Sequence, residues 1–189
     1  ALALAAFHID LEDELVPFEL ATAPGRTFFA NAGASTRTGL EAELRWSISE
    51  KLSADLSWTW SDFTFDRFVL DGEDFGGNRQ PGLPEHFGYL ALSFAPREST
   101  TLDFELRYAG KLFATNDNQV SVDSYLVSNL RLAQEWQKDQ WTIQAFIGVN
   151  NLFDELYNSN IRINAFGGRY FEPAQERNWY AGLSARFGR

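Results

Sequence analysis

Arg177-Asn-Trp-Tyr-Ala-Gly-Leu-Ser-Ala-Arg-Phe187, close to the end of the chain, is the stretch whose reading decides the fold. Trp179, Ala181, Leu183, Ala185 and Phe187 alternate with Asn178, Tyr180, Gly182, Ser184 and Arg186. A period of two belongs to a β-strand, whose successive side chains point to opposite faces. One face of this strand is apolar and the other polar. It closes on an aromatic residue, the pattern of the last strand of a transmembrane barrel with its apolar face on lipid.

The same alternation recurs upstream. Leu40, Ala42, Leu44, Trp46 and Ile48 are interleaved with Glu41, Glu43, Arg45 and Ser47, and Leu52, Ala54, Leu56, Trp58 and Trp60 with Ser53, Asp55, Ser57 and Thr59. Leu102, Phe104, Leu106 and Tyr108 alternate with Asp103, Glu105 and Arg107, and Trp141, Ile143, Ala145, Ile147 and Val149 form a fifth apolar row. Weaker strands are expected at Leu2–Ile9, Glu14–Glu19, Phe87–Ala95 and Val122–Gln134, which gives about nine in all. A two-sheet sandwich also alternates, but packs its apolar faces on each other. Here the apolar rows carry Trp46, Trp58, Trp60, Trp141 and Trp179, mostly near strand ends. That is where a membrane interface holds indole rings, with the body buried and the N–H wet.

Connection lengths separate the two architectures. Short links are expected at Asp10–Asp13, Ser49–Lys51, Pro96–Glu98 and Glu135–Asp139, and long ones at Leu20–Arg26, Asp66–Pro84, Lys111–Ser121 and Asp154–Gln175. Regular short–long alternation is the signature of an up-and-down barrel with tight periplasmic turns and longer outer loops. A Greek-key sandwich has no reason for it. By this parity the last strand runs toward the short-turn side.

Composition sets the remaining bounds. The 189 residues suit one domain or a large piece of one. No run reaches the roughly 18 consecutive apolar residues of a spanning helix. A mean hydropathy of −0.29 would pass for soluble, but it averages the two faces of every strand. Aromatics reach 15%, as a barrel with aromatic girdles requires. There are no cysteines, which excludes disulfides and thiolate metal sites. A net charge of −10 argues against a phosphate-binding surface, so no nucleic-acid partner is expected. The sequence has no Met and opens inside an apparent strand, so it reads as a piece of a longer protein.

Gly148-Val-Asn-Asn-Leu-Phe-Asp-Glu-Leu-Tyr157 resembles the segment that ends the penultimate strand of TonB-dependent outer-membrane receptors. Phe171-Glu-Pro-Ala-Gln-Glu-Arg-Asn-Trp-Tyr-Ala-Gly-Leu-Ser-Ala-Arg-Phe187 resembles their last loop and last strand. Asn31-Ala-Gly-Ala-Ser-Thr-Arg-Thr-Gly-Leu-Glu-Ala-Glu-Leu44 is similar to an earlier strand, and Ala5-Ala-Phe-His-Ile-Asp10 with Glu14-Leu-Val-Pro17 to the pair before it. The resemblance implies an all-β, antiparallel up-and-down transmembrane barrel, of which residues 1–189 are the C-terminal portion: about nine strands of about 22. It implies a bacterial outer-membrane location in contact with lipid. A plug domain and a TonB box that engages TonB are expected outside this chain. The implied function is energised import of a scarce ligand, most often a ferric-siderophore-type metal chelate. Glu41, Glu43, Arg45, Asp55, Asp103, Glu105 and Arg107 are then expected to face the lumen.

Within the last long connection, Tyr157, Arg162, Arg169, Tyr170 and Phe171 are the candidate ligand contacts. Arg offers a planar fork to carboxylate-like groups, and aromatic rings offer stacking faces. Arg162 and Arg169, like Arg177, could instead pair with acidic residues of neighbouring loops or with lipopolysaccharide phosphates. No catalytic constellation, resident cofactor or metal site is expected. G-x-S-x-G is absent, and His8 and His86 read as ordinary strand and rim side chains. Asp71-Gly-Glu-Asp-Phe-Gly-Gly-Asn78 lacks the spacing of a calcium loop and reads as a solvated acidic turn. A passive outer-membrane channel or structural barrel, and a soluble carbohydrate-binding β-sandwich, are the alternative readings.

Overall fold

The computed structural model describes residues 1–31 and 33–188, so Ala32 of the Asn31–Leu44 motif lies outside the described residues. Eight strands form one sheet: β1 (Leu2–Glu12), β2 (Ala34–Ser49), β3 (Leu52–Arg67), β4 (His86–Arg97), β5 (Thr100–Ala109), β6 (Tyr125–Lys138), β7 (Trp141–Asn150) and β8 (Asn178–Phe187). Each pairs antiparallel with its sequence neighbour, so order in the sheet is order in the chain. Among the described residues the other four sheets are two-stranded hairpins inside the connections.

Register shows why the alternation was legible. Leu2 lies opposite Leu44, Leu44 opposite Leu56, Leu56 opposite Leu90 and Leu90 opposite Leu106. A second row runs from Trp46 through Ala54, Leu92, Phe104, Leu130 and Val149 to Trp179. It leaves β2 near its short-turn end and reaches β8 at its loop end, the stagger that tilted barrel strands require. Among the described residues no second sheet covers this face: Trp179 is 68% and Leu183 74% exposed. A soluble sandwich would have to bury these side chains, whereas a lipid-facing strand leaves them open to hydrocarbon.

The connections strictly alternate. Glu50–Lys51, Glu98–Ser99 and Asp139–Gln140 make the short turns. Asp139 takes φ 54°, a left-handed conformation that Asp tolerates. The long connections are L1 (13–33), L2 (68–85), L3 (110–124) and L4 (151–177). Phe187 lies opposite Trp141, so β8 does end on the short-turn side.

Several expectations are corrected. Glu14–Glu19 is not a spanning strand, and the sheet has eight strands rather than about nine. Leu15–Glu19 pairs with Thr27–Asn31 as a hairpin within L1. Val16 of that hairpin packs with Phe65, Phe68 and Phe75 in a buried hydrophobic cluster, so it serves a loop core rather than lipid. Asp10–Asp13 is accordingly not a tight turn: β1 runs to Glu12, opposite Ala34. Strands β2 and β3 are also longer than expected, each 16 residues. Their added residues (Thr36, Thr38, Asp62 and Thr64 among them) are polar on the face that is apolar farther down. Apolar alternation marks the part of a strand in hydrocarbon, about 9–11 residues.

Candidate functional site

The polar face of the sheet gathers all seven residues expected to line a lumen. Arg45 lies opposite Asp55, Asp55 opposite Ala91 and Ala91 opposite Glu105, and Glu43, Ser57, Tyr89 and Arg107 form the next row. Glu41 follows, opposite Thr59. A groove of about 310 Å³ on this face is lined by Asp55, Asp103, Glu105, Asn129, Arg131 and Tyr180. Asp103 accepts from Ser93 Oγ at 2.8 Å and from Arg131 Nη1 at 3.3 Å, while Glu105 accepts from Asn129 Nδ2 at 3.2 Å. Asn129, Arg131 and Tyr180 escaped sequence reading, although Leu130 and Leu132 flank Arg131 with the alternation that gives it away.

Three glycines on this face are covered by aromatic rings. Phe7 lies opposite Gly39, Tyr180 opposite Gly148 and Phe146 opposite Gly182. A Cβ on Gly148 would stand 2.3 Å from Tyr180 Cζ, and one on Gly182 would stand 2.2 Å from Phe146 Cζ. Close approach of ring to backbone is what these positions need, and only Gly leaves the room.

At the opposite end from the short turns, the four long loops are tied together. L1 and L2 share the cluster in which Phe65 and Phe68 are each 1% exposed, and Glu14 accepts from Gln80 Nε2 at 2.7 Å as well as from Ser35 and Arg37. L2 meets L3 where Arg79 N donates to Asn118 Oδ1 at 2.9 Å and Asn78 Nδ2 to the Asn116 carbonyl at 2.8 Å. Asn164 joins three loops. Its Oδ1 accepts from Asn116 N at 2.9 Å, and its Nδ2 donates to Asn116 Oδ1 at 3.0 Å and to the Pro17 carbonyl at 2.9 Å. Asn164 takes φ 52°, which Asn accepts more readily than most residues.

L4 carries the candidate ligand contacts on the hairpin Asn158–Ile161 with Phe171–Pro173. Arg162 N donates to the Tyr170 carbonyl at 2.8 Å, and the Tyr170 and Phe171 rings meet edge to face at 6.0 Å. Tyr157 stands apart at the hairpin base, its ring 4.5 Å from that of Tyr125. Arg162 and Arg169 converge on one carboxylate: Arg162 Nη2 lies 3.2 Å from Glu19 Oε1, and Arg169 Nη2 3.5 Å from Glu19 Oε2. Glu19 Oε2 also accepts from the backbone N–H groups of Gly25 at 3.1 Å and Phe166 at 3.3 Å. The Gly25 hydrogen bond, with that of Phe166 and the two guanidinium charges, holds the Glu19 carboxyl below the usual carboxylate range against its desolvation. Arg177, the third arginine, pairs with Asp154 at 3.6 Å. Sequence reading missed Glu14, Glu19 and Asn164, because their partners lie far away in the chain.

The acidic turn resolves into a hairpin, Val69–Leu70 with Glu73–Asp74, in which Asp71 and Gly72 take φ 53° and 87°. Asp-Gly is a favoured two-residue hairpin turn. Among the described residues no group of three or more His, Asp or Glu is placed to hold a metal. His86 stacks on Trp58 at 5.7 Å. His8 bonds to Thr38 at 2.9 Å on the face that carries Leu4 and Ala6, not on the lumen-type face.

The sequence model of the family described as TonB dependent receptor-like, beta-barrel matches residues 1–152. The chain belongs to that family. As a barrel segment of such a receptor, it is part of an outer-membrane protein. The ferrioxamine receptor of Yersinia enterocolitica is 27% identical over 134 residues, 69% of this chain and 18% of the relative. The pesticin receptor of the same species is 25% identical over 169 residues, 82% of this chain and 22% of the relative. Among solved structures, the siderophore receptor PiuA from Acinetobacter baumannii superposes with a TM-score of 0.77 at 20% identity, covering 98% of this chain and 26% of that one. The ferric yersiniabactin uptake receptor FyuA from Yersinia pestis gives 0.70 at 22% identity, covering 98% and 27%. The chain thus spans about a fifth to a quarter of its relatives' length, and the structural likeness extends the shared fold through β8, past the matched residues 1–152.

Proposed function

We propose that this chain is the C-terminal portion of the barrel of an outer-membrane receptor that imports a ferric-siderophore-type chelate, energised through TonB. Family membership carries the proposal, and the names of the relatives, receptors for iron chelates among them, give the ligand class. The plug domain and TonB box belong to the rest of the receptor. The polar face is its lumen wall, with Glu41, Glu43, Arg45, Asp55, Asp103, Glu105 and Arg107 turned toward the plug. The loops from L1 to L4 are its outer surface, and Tyr157, Arg162, Arg169, Tyr170 and Phe171 on L4 contact the ligand. Arg162 and Arg169 would hold anionic oxygens of the chelate, and the rings of Tyr170 and Phe171 its flat or apolar parts.

Deleting the gene for the full receptor and growing the cells under iron restriction with a panel of defined ferric chelates tests this. One chelate should cease to support growth, and radio-iron uptake from it should return with the intact gene. Arg169→Ala in the intact receptor should lower that uptake. Undiminished growth and uptake on every chelate would reject the import role.

A further inference from the structure

Four donors from two loops converge on a single side chain that is only 5% exposed, the Glu19 carboxylate. Two are backbone N–H groups, of Gly25 in L1 and Phe166 in L4, and two are the guanidinium groups of Arg162 and Arg169. Such a set would accept any carboxylate or comparable oxyanion, since nothing in it distinguishes Glu19 from a ligand group. The guanidinium groups are also reachable from outside: the side chains of Arg162 and Arg169 are 36% and 51% exposed.

Resting on the reading of Arg162 and Arg169 as ligand contacts, we infer that Glu19 is an internal stand-in for the ligand's anionic group. It occupies an oxyanion receptor between L1 and L4 until a carboxylate-bearing chelate displaces it. The exchange conserves charge pairing, because one carboxylate leaves the two arginines as another arrives. It needs only a local movement. When Glu19 lets go, the L1 hairpin stays anchored by Glu14 on Gln80 and by the Pro17 carbonyl on Asn164. Gly25, at φ 82°, and Gly167 and Gly168, at φ 74° and 75°, stand in open space, with nothing within 4 Å of where a Cβ would lie. The device sets specificity, since a ligand without anionic oxygens cannot replace Glu19 and meets a closed loop pair. It also lowers apparent affinity by the closed fraction: a contact closed in roughly 70–90% of molecules weakens binding about threefold to tenfold.

The test uses the intact receptor in detergent, with citrate as the probe anion. Glu19→Gln, which removes the charge and keeps the size, should bind citrate about threefold to tenfold tighter. Glu172→Gln removes an equal charge from L4 at a residue bonded to Asn160 instead, and should change nothing. Hydrogen exchange gives a second readout. In Glu19→Ala without citrate the amides of Gly25 and Phe166 should lose the protection that they have in the unmodified receptor, and added citrate should restore it. A tie that merely stabilises the loops predicts the reverse for binding, weaker capture in Glu19→Gln. The inference is overturned by equal or weaker binding in that variant, by an equal gain in Glu172→Gln, or by Gly25 and Phe166 amides of Glu19→Ala that stay unprotected whatever the citrate concentration. If these fail while Arg169→Ala still lowers chelate uptake, only the exchange falls. If they succeed while Arg169→Ala uptake is normal, the anion receptor stands and its place in import falls.

Discussion

Gly182 offers a perturbation whose size and sign both follow from the structure. Phe146 lies over it as its register partner, and a Cβ at 182 would sit 2.2, 2.7 and 2.9 Å from Phe146 Cζ, Cε1 and Cε2. No real contact is that short, so Gly182→Ala must move the ring. There is little room: the Tyr180 ring is 6.2 Å away on one side, and the Arg131 guanidinium carbon is 4.8 Å from the Phe146 centroid on another. Arg131 in turn holds Asp103. Overpacking of this kind costs about 1–3 kcal/mol. Loss of the cation–ring contact adds about 0.5–1 kcal/mol at a part-exposed site. With the roughly 0.5–1 kcal/mol that Ala gains over Gly in a strand interior set against these costs, Gly182→Ala should destabilise by about 0.5–3.5 kcal/mol. With the ring gone, in a Phe146→Ala background, only the intrinsic preference of a strand interior for Ala over Gly is left, about 0.5–1 kcal/mol in the opposite direction. The sign of the Gly182→Ala effect should invert between the two backgrounds, a coupling that a double-mutant cycle measures directly. Urea unfolding of the intact receptor refolded into lipid vesicles, followed by tryptophan fluorescence and by heat-dependent gel mobility, supplies the four free energies. Equal destabilisation in both backgrounds would show that the ring does not rest on Gly182 and would refute the packing argument.

Three further outcomes test other parts of the molecule. Leu183→Arg on the apolar face of β8 should cost about 2–4 kcal/mol in vesicles, whereas Ser184→Arg, one residue on and on the polar face, should cost under about 1 kcal/mol; similar costs would contradict the face assignment. Glu14→Ala leaves Ser35, which is fully buried, and Gln80 without their acceptor, and should destabilise the L1–L2 contact by about 1–3 kcal/mol; limited proteolysis should then cut L1 faster, and an unchanged cleavage rate would deny Glu14 that role. Folding lowers the Glu19 carboxyl, and also Glu85 through its hydrogen bond from Arg79. A depressed carboxyl stabilises above its unfolded value, about 4.3, and loses that contribution as pH falls through the folded value. Amide protection at Gly25 and Phe166 should therefore hold from neutral pH to about 5 and decline only below about 4; release near neutral pH would contradict the assignment.

The five marked strands were legible because lipid imposes a one-dimensional rule on each residue separately. Leu40, Ala42, Leu44 and Trp46 need no distant partner to be apolar; they need only to point outward in hydrocarbon. The parity of Glu43, Arg45, Asp55 and Arg107 follows from the same rule, which is why they fall on one face. Above the bilayer the rule lapses. Thr36, Thr38, Asp62 and Thr64 continue β2 and β3 in polar surroundings, and the sequence there no longer states which face is which. The Glu14–Glu19 segment misled for the same reason, since Val16 is apolar toward a loop cluster and its spacing matches that of a residue facing lipid.

Loop geometry obeys a different logic, in which the deciding partner is remote. Glu19 and Arg169 are 150 positions apart, and Asn164 and Pro17 are 147 apart. Neither residue of such a pair carries a local mark of the other, and the arginines drew notice only by their company with aromatic rings. Their loop partner could not be named in advance, although pairing with a loop carboxylate was, beside ligand contact, one of the readings open to them. In a receptor the two readings need not compete. An internal acceptor of the same chemistry sets the threshold that an incoming anion must exceed, because the anion gains only the difference between its own pairing and that of the group it displaces. Arg162 and Arg169 stand close enough together for one carboxylate, that of Glu19, to bridge them, and that spacing is what an incoming carboxylate would inherit.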